Sequence, residues 1–272
     1  MADKVRGVRV EIERRGVGGH GESIANVDPA AYKCMPDHKL PLTERGEKMA
    51  ENAGRALDEQ FKQMFGTPEK MGLCRMWVSP FKRTRQTADG ILTTAAGDWI
   101  HDVKESPFLV EQDWGLFEGS GMEDGKEKYP VEWGRMQRLR EHQGKYWARM
   151  PMGESCFDVC TRVANLFETI TRDRLPKWSV GRDSVENVII VSHGVTIRAF
   201  IMMWCHLSPE WFEVNMNPPN CSIIRIDDSE CKGYVFGGYN CDEDGLPVAL
   251  EDVEIKDDPR LLGTEATMCA AF

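Results

Sequence analysis

The 272-residue chain contains no run of about 18 apolar residues, so no segment reads as a membrane span. Its opening stretch, MADKVRGVRVEIERR, lacks the apolar core of a secretory signal, and the expected location is cytoplasmic. No CxxC pair occurs among the nine cysteines, whose odd number and irregular spacing argue against a zinc site or a disulfide framework. They read as reduced thiols packed as small hydrophobes. An excess of positive charge is also missing. With Lys+Arg at 34 and Asp+Glu at 44 the net charge is −10, which excludes nucleic acid and anionic membrane as general partners. An anionic ligand would need a local cluster of arginines. There is no internal repeat and no low-complexity tract. What remains is ordinary globular material, 41% hydrophobic and 29% charged. It is long enough to bury a full core without metal or cofactor.

Periodicity divides the chain into strands and helices. VRVEI at residues 8–12 alternates and reads as a strand, polar for a parallel sheet. A glycine-rich turn, Gly16 to Gly21, follows it. From Leu42 to Phe65 the pattern is helical, with Thr43 and Glu44 at its start and Met49, Ala53, Leu57 and Phe61 at spacing four. LCRMWV at residues 73–78 reads as a strand ending at Ser79-Pro80, followed by a helix over Arg83–Ala95. The charged stretch 119–150 reads as a mostly helical insertion lying over one end of the sheet. A helix is expected over Ser155–Arg174, a buried strand over 187–192 (NVIIVS), and a helix over 194–205. Two last strands are expected near Cys221–Ile226 and Gly233–Gly237, and an acidic, loosely held tail over 242–272. The alternation predicts an α/β fold of three layers, a doubly wound, mainly parallel sheet with helices on both faces, in one domain over residues 1–241.

Four segments carry candidate chemistry: HGES at His20–Ser23, SPFKRTRQTA at Ser79–Ala88, FLVEQDWG at Phe108–Gly115 and VSHG at Val191–Gly194. Three of them fall where a strand ends, the edge at which open α/β sheets bind ligands. Taken singly, each has a bland reading. A histidine after a buried strand is usually structural, an arginine at a helix start usually a solvated charge, and a glutamate usually a surface carboxylate.

In this order, and together with HGESIAN, PLTERG at Pro41–Gly46, GES at Gly153–Ser155 and SHGVTIRAF at Ser192–Phe200, the segments resemble the histidine phosphatase superfamily, also called phosphoglycerate mutase-like. The likeness spans residues 8 to 226 and is nearest to small eukaryotic phosphatase-like members. It implies a phosphomonoesterase that moves phosphate from a small phosphorylated substrate onto His20 as nucleophile. Arg83 and His193 would act as phosphate-pocket donors and Glu111 as general acid, with no metal. Chemistry agrees with these roles. A neutral imidazole can attack phosphorus, a guanidinium fork grips two phosphoryl oxygens, and a buried glutamate can hold the proton that the leaving oxygen needs. Further phosphate contacts are expected from Asn26, Gly194 and Arg198. One feature departs from the family pattern: an arginine belongs directly before the nucleophilic histidine, and Gly19 stands there. Either Arg14 or Arg15 folds back through the flexible glycines to replace it, or the chain binds phosphorylated ligands without turnover. A cofactor-dependent phosphoglycerate mutase is the other alternative. Ile24 and Ala25 before Asn26, in place of the tryptophan usual in that branch, favour the phosphatase. The chain is expected to act as a monomer or a homodimer.

Overall fold

Six strands in the order β3-β2-β4-β1-β5-β6 build the sheet of the computed structural model, which describes residues 8–12, 20–119, 122–175, 183–228, 230–241, 247–250 and 253–259. They are β1 (Val8–Ile12), β2 (Cys74–Val78), β3 (Asp102–Glu105), β4 (Asn187–Val191), β5 (Ser222–Asp227) and β6 (Glu230–Phe236). β3, β2, β4 and β1 run parallel, and β5 and then β6 add antiparallel neighbours at one side. The polar VRVEI segment forms a strand between β4 and β5, inside the sheet rather than at its edge.

The two-residue period of the strands sorts their side chains onto two faces. Ile189 and Val191 of β4, Met76 and Val78 of β2 and Ile223 of β5 pack into one cluster with Met49, Ala53, Leu57 and Phe61 of the helix Glu44–Phe65 and Ile91 of the helix Lys82–Leu92. Val188 and Ile190, Trp77, and Ile224 and Ile226 pack into the opposite cluster with Val163 and Leu166 of the helix Cys156–Asp173 and Ile197 and Phe200 of the helix Gly194–Trp204. The fold is therefore the three-layer α/β arrangement. The helix Glu44–Phe65 starts at Thr43, whose hydroxyl accepts from the Gly46 amide at 2.9 Å. The helix Cys156–Asp173 starts at Ser155, which forms a reciprocal capping box with Asp158. None of these helices, nor any other among the described residues, is long and apolar enough to cross a membrane.

Residues 119–150 include two helices, Met122–Lys128 and Pro130–Gln143. They carry a small core of their own, in which Phe117, Met136 and Met150 pack with Trp114, Tyr129 and Trp133. Its base, Trp114–Phe117, continues directly from the segment that bears Glu111.

The tail expected over 242–272 is held more closely than its acidity suggests. Pro247–Ala249 pairs with Tyr239–Cys241 as a two-stranded ribbon. Asp258 is 2% exposed and accepts from both the amide and the hydroxyl of Ser208, each at 2.8 Å. Asn215 and Lys256 exchange two more bonds, at 2.9 and 3.2 Å. Ser208 is the N-cap of the helix Pro209–Val214, so Asp258 completes that helix start and the domain reaches past residue 241. Replacing Asp258 by alanine would orphan the buried Ser208 amide and is expected to cost about 1–3 kcal/mol in a denaturant titration. A change below about 0.5 kcal/mol, the range of ordinary surface substitutions, would show that the tail contributes nothing.

Candidate active site

Because β1, β2 and β4 run parallel, the segments after their carboxyl ends meet at one edge of the sheet. Ser79 follows β2 and its amide donates to the Val191 carbonyl of β4 at 3.0 Å, so the SPF and SHG segments are tied together. The HGE segment is pressed onto the start of the helix Glu44–Phe65. A Cβ on Gly21 would lie 2.3 Å from the Gly46 carbonyl oxygen, and one on Gly46 would lie 2.1 Å from that of Glu22, so only glycines permit the approach. The buried Glu22 carboxylate accepts from Thr43 Oγ1 at 2.7 Å and from Arg45 Nε at 2.9 Å. This contact gives the PLTERG sequence its role: Thr43, Arg45 and Gly46 together seat the segment bearing His20. The Gly21 amide donates to Thr87 Oγ1 at 2.9 Å, linking the same segment to the helix Lys82–Leu92.

His20 is 1% exposed. Its Nδ1–H donates to the Gly21 carbonyl at 2.8 Å, which leaves the Nε2 lone pair facing Arg83 Nε–H at 2.7 Å. His193 is fully buried, and its ring meets that of His20 edge-on with centroids 5.3 Å apart. Its Nε2–H donates to Ser79 Oγ at 2.8 Å, and its Nδ1 faces Arg83 Nη2 at 3.3 Å. Burial, reinforced by the Arg83 charge, holds both imidazoles well below their usual pKa, so both are neutral at pH 7. Arg83, 1% exposed, lies in the first turn of its helix between the two rings.

Glu111 is 4% exposed. Burial pushes its carboxyl above the ordinary value of 4.5, against the bond from the Gln112 amide at 2.9 Å and the Arg83 charge. The segment around it is fixed from below. Ser192 Oγ donates to the Leu109 carbonyl at 2.7 Å, and Thr196 Oγ1 to that of Val110 at 2.6 Å. Arg162 donates to the carbonyls of Phe108 at 2.8 Å and Glu111 at 3.0 Å and pairs with Glu154 at 2.8 Å. Glu154 is the middle residue of the GES segment. Arg162, eight residues on, has no motif around it, and only the structure assigns it this task.

The other expected contacts are placed differently. Arg198 does not reach the imidazole pair. Its Nη1 donates to the carbonyls of Phe212 at 2.9 Å and Asn215 at 2.6 Å, and its guanidinium lies over the Phe212 ring. Five residues on from His193 is about 140° around a helix, which turns the side chain away from the pocket. Asn26 Oδ1 accepts from the amide and hydroxyl of Ser23, at 2.7 and 2.8 Å, so that oxygen closes a capping box. Gly194 opens the helix Gly194–Trp204, and a Cβ there would lie 2.7 Å from Asn217 Cγ. Arg14, Arg15 and Gly19 lie outside the described residues. An unforeseen member is Asp37, whose carboxylate pairs with Arg83 at 2.7 Å.

Residues 19–237 match the model of the histidine phosphatase superfamily (branch 1). The chain belongs to that superfamily. Among its relatives is a phosphoglycerate mutase-like protein of Arabidopsis thaliana, 31% identical over an alignment of 245 positions that covers 88% of this chain and 82% of the relative. A broad-range acid phosphatase of Saccharomyces cerevisiae is 24% identical over 80% of this chain and 86% of its own. The fold also resembles that of a mycobacterial glucosyl-3-phosphoglycerate phosphatase, with TM-score 0.55 and 21% identity over 81% of this chain and 89% of that one.

Proposed function

We propose that this histidine phosphatase superfamily member is a phosphomonoesterase that hydrolyses a small phosphorylated compound through a phosphohistidine on His20. The observation that carries this reading is the state of His20: a neutral imidazole with Nδ1–H tied to a carbonyl and Nε2 facing a buried guanidinium at 2.7 Å. In the first step Nε2 attacks phosphorus, the bond to the ester oxygen breaks, and Glu111 gives its proton to that oxygen. Arg83 holds the phosphoryl oxygens as charge develops on them, and His193 donates to them in the tautomer with Nδ1–H, in which Ser79 Oγ donates to Nε2. In the second step the Glu111 carboxylate takes a proton from water, which attacks phosphorus and breaks the P–N bond. Phosphate leaves and both groups return to their starting protonation. The names of the Arabidopsis and yeast relatives are compatible with this chemistry, and the raised Glu111 pKa favours its acid role.

Release of inorganic phosphate from a panel of aryl and alkyl phosphate monoesters tests the reading. Steady release is expected, unchanged by a chelator, because Arg83 and His193 supply the donors that stabilise the phosphoryl charge. Bisphosphate-dependent interconversion of phosphoglycerates without net phosphate release would replace the phosphatase by a mutase. Phosphate binding with no turnover of any ester would make the chain a phospho-ligand binder.

A further inference from the structure

Arg83 presents two edges. Nε and Nη2 face the imidazoles, at 2.7 Å from His20 Nε2 and 3.3 Å from His193 Nδ1. Nη1 and Nη2 form the other edge, and Asp37 occupies it. Nη1 donates to Asp37 Oδ1 at 2.7 Å and to the Asp37 backbone carbonyl at 2.8 Å, and Nη2 donates to Oδ2 at 3.2 Å. A guanidinium is a rigid plane, so gripping one edge aims the other. The Arg83 side chain is 1% exposed, against 20% for Asp37. A buried guanidinium needs a counter-charge, and neither neutral imidazole provides one. Asp37 sits on the tight turn Asp37–Lys39, followed by Leu40, which is 0% exposed and anchors the loop. Phosphate chemistry does not call for a carboxylate on a phosphate-binding arginine. A phosphoryl group entering beside His20 must share Arg83 with an anion already paired to it.

We infer that Asp37 is a positioning residue and internal counter-anion of the phosphate site: it keeps the inner edge of Arg83 aimed at the two imidazoles and weakens the grip on phosphate. The inference rests on the phosphatase reading for its kinetic consequence alone. The binding consequence stands without turnover. A carboxylate that competes for Arg83 lowers the affinity for the dianionic product and helps it leave.

Asp37→Asn keeps the shape and one acceptor oxygen and removes the charge. Calorimetric titration of the full chain with inorganic phosphate is expected to give binding at least about tenfold tighter than in the wild type. The kcat for an aryl phosphate is expected to fall about tenfold, with KM falling too, because phosphate is retained and the outer edge of Arg83 is loosened. Asp37→Glu, which restores the charge, is expected to bring phosphate affinity back to within about threefold of the wild type. A carboxylate that only shaped the loop would not give this pattern, since its loss would weaken binding. Phosphate affinity of Asp37→Asn that is unchanged or weaker, with native circular dichroism, overturns the inference. Should Asp37→Asn fail to fold, Asp37→Glu decides: affinity and kcat both near wild type support the inference, and phosphate binding lost in a folded Asp37→Glu protein overturns it. The two readings fail separately. Tightened phosphate binding in a chain that hydrolyses no ester removes the phosphatase reading alone, and normal turnover with unmoved phosphate affinity removes the role of Asp37 alone.

Discussion

Replacing His20 by alanine is expected to lower phosphate release from any monoester by at least about a thousandfold. The size of the effect follows from what the imidazole does. The remaining groups, Arg83 and His193, can still hold a phosphate, but the charged guanidinium has no lone pair to offer and the ring nitrogens of His193 are turned to Arg83 and Ser79. Nε2 is unprotonated because three conditions act together. Nδ1–H is tied to the Gly21 carbonyl, burial disfavours the imidazolium, and the Arg83 charge disfavours it further. Water would then have to attack phosphorus without the covalent step that divides the barrier. Steady-state kinetics of the variant check this, and retention of more than about a tenth of the wild-type rate would remove His20 as nucleophile.

Glu111→Gln is expected to slow hydrolysis of an alkyl phosphate by about 10²–10⁴, the range of general acid catalysis, and to slow the first step for a nitrophenyl phosphate far less. An alkoxide cannot depart without a proton, whereas nitrophenolate leaves without one. The pH dependence carries a definite sign. Glu111 is active in the first step when protonated, and burial holds its pKa above 4.5, so the rate falls as pH rises through that raised value. The imidazole is active when neutral and stays neutral well below pH 6.5, so the acid side of the profile is displaced to low pH. The wild type is therefore expected to work best in mildly acidic solution, and Glu111→Gln is expected to lose the basic limb. A basic limb that persists in the variant would assign it to another group. The segment around Glu111 is held by Ser192, Thr196 and Arg162 through its carbonyls, so the substitution leaves the positioning bonds in place.

Much of the fold is legible because burial imposes a period. VIIV at residues 188–191 is apolar throughout because β4 is covered on both faces, and the spacing of Met49, Ala53, Leu57 and Phe61 marks one side of a helix. β3 is the opposite case: Asp102–Glu105 is an edge strand, exposed along most of its length, and its DVKE sequence carries no alternation to read. The stretch 242–272 reads as a loose tail because composition treats acids as surface residues, whereas Asp258 within it completes a helix cap. The proximity of His20, Arg83 and His193 could be read from ordered motifs at strand ends, since parallel strands carry those ends to one edge. Asp37, Glu154 and Arg162 could not be placed that way. Each acts through a loop or a backbone carbonyl, and the direction of such a side chain depends on tertiary contacts rather than on spacing. Arg198 was expected in the pocket on proximity in the chain alone, and helical rotation carries it to Phe212 and Asn215 instead.

The central claim is the covalent bond between phosphorus and His20 Nε2. It is tested most directly by trapping it: Glu111→Gln, which slows the attack of water on the intermediate, is mixed with an aryl phosphate, quenched in base and digested for peptide mapping by mass spectrometry. Phosphate on His20, stable in base, lost in acid and absent from a protein that also carries His20→Ala, is the expected result. Turnover by the wild type with phosphate trapped on another residue, or on none, would contradict it.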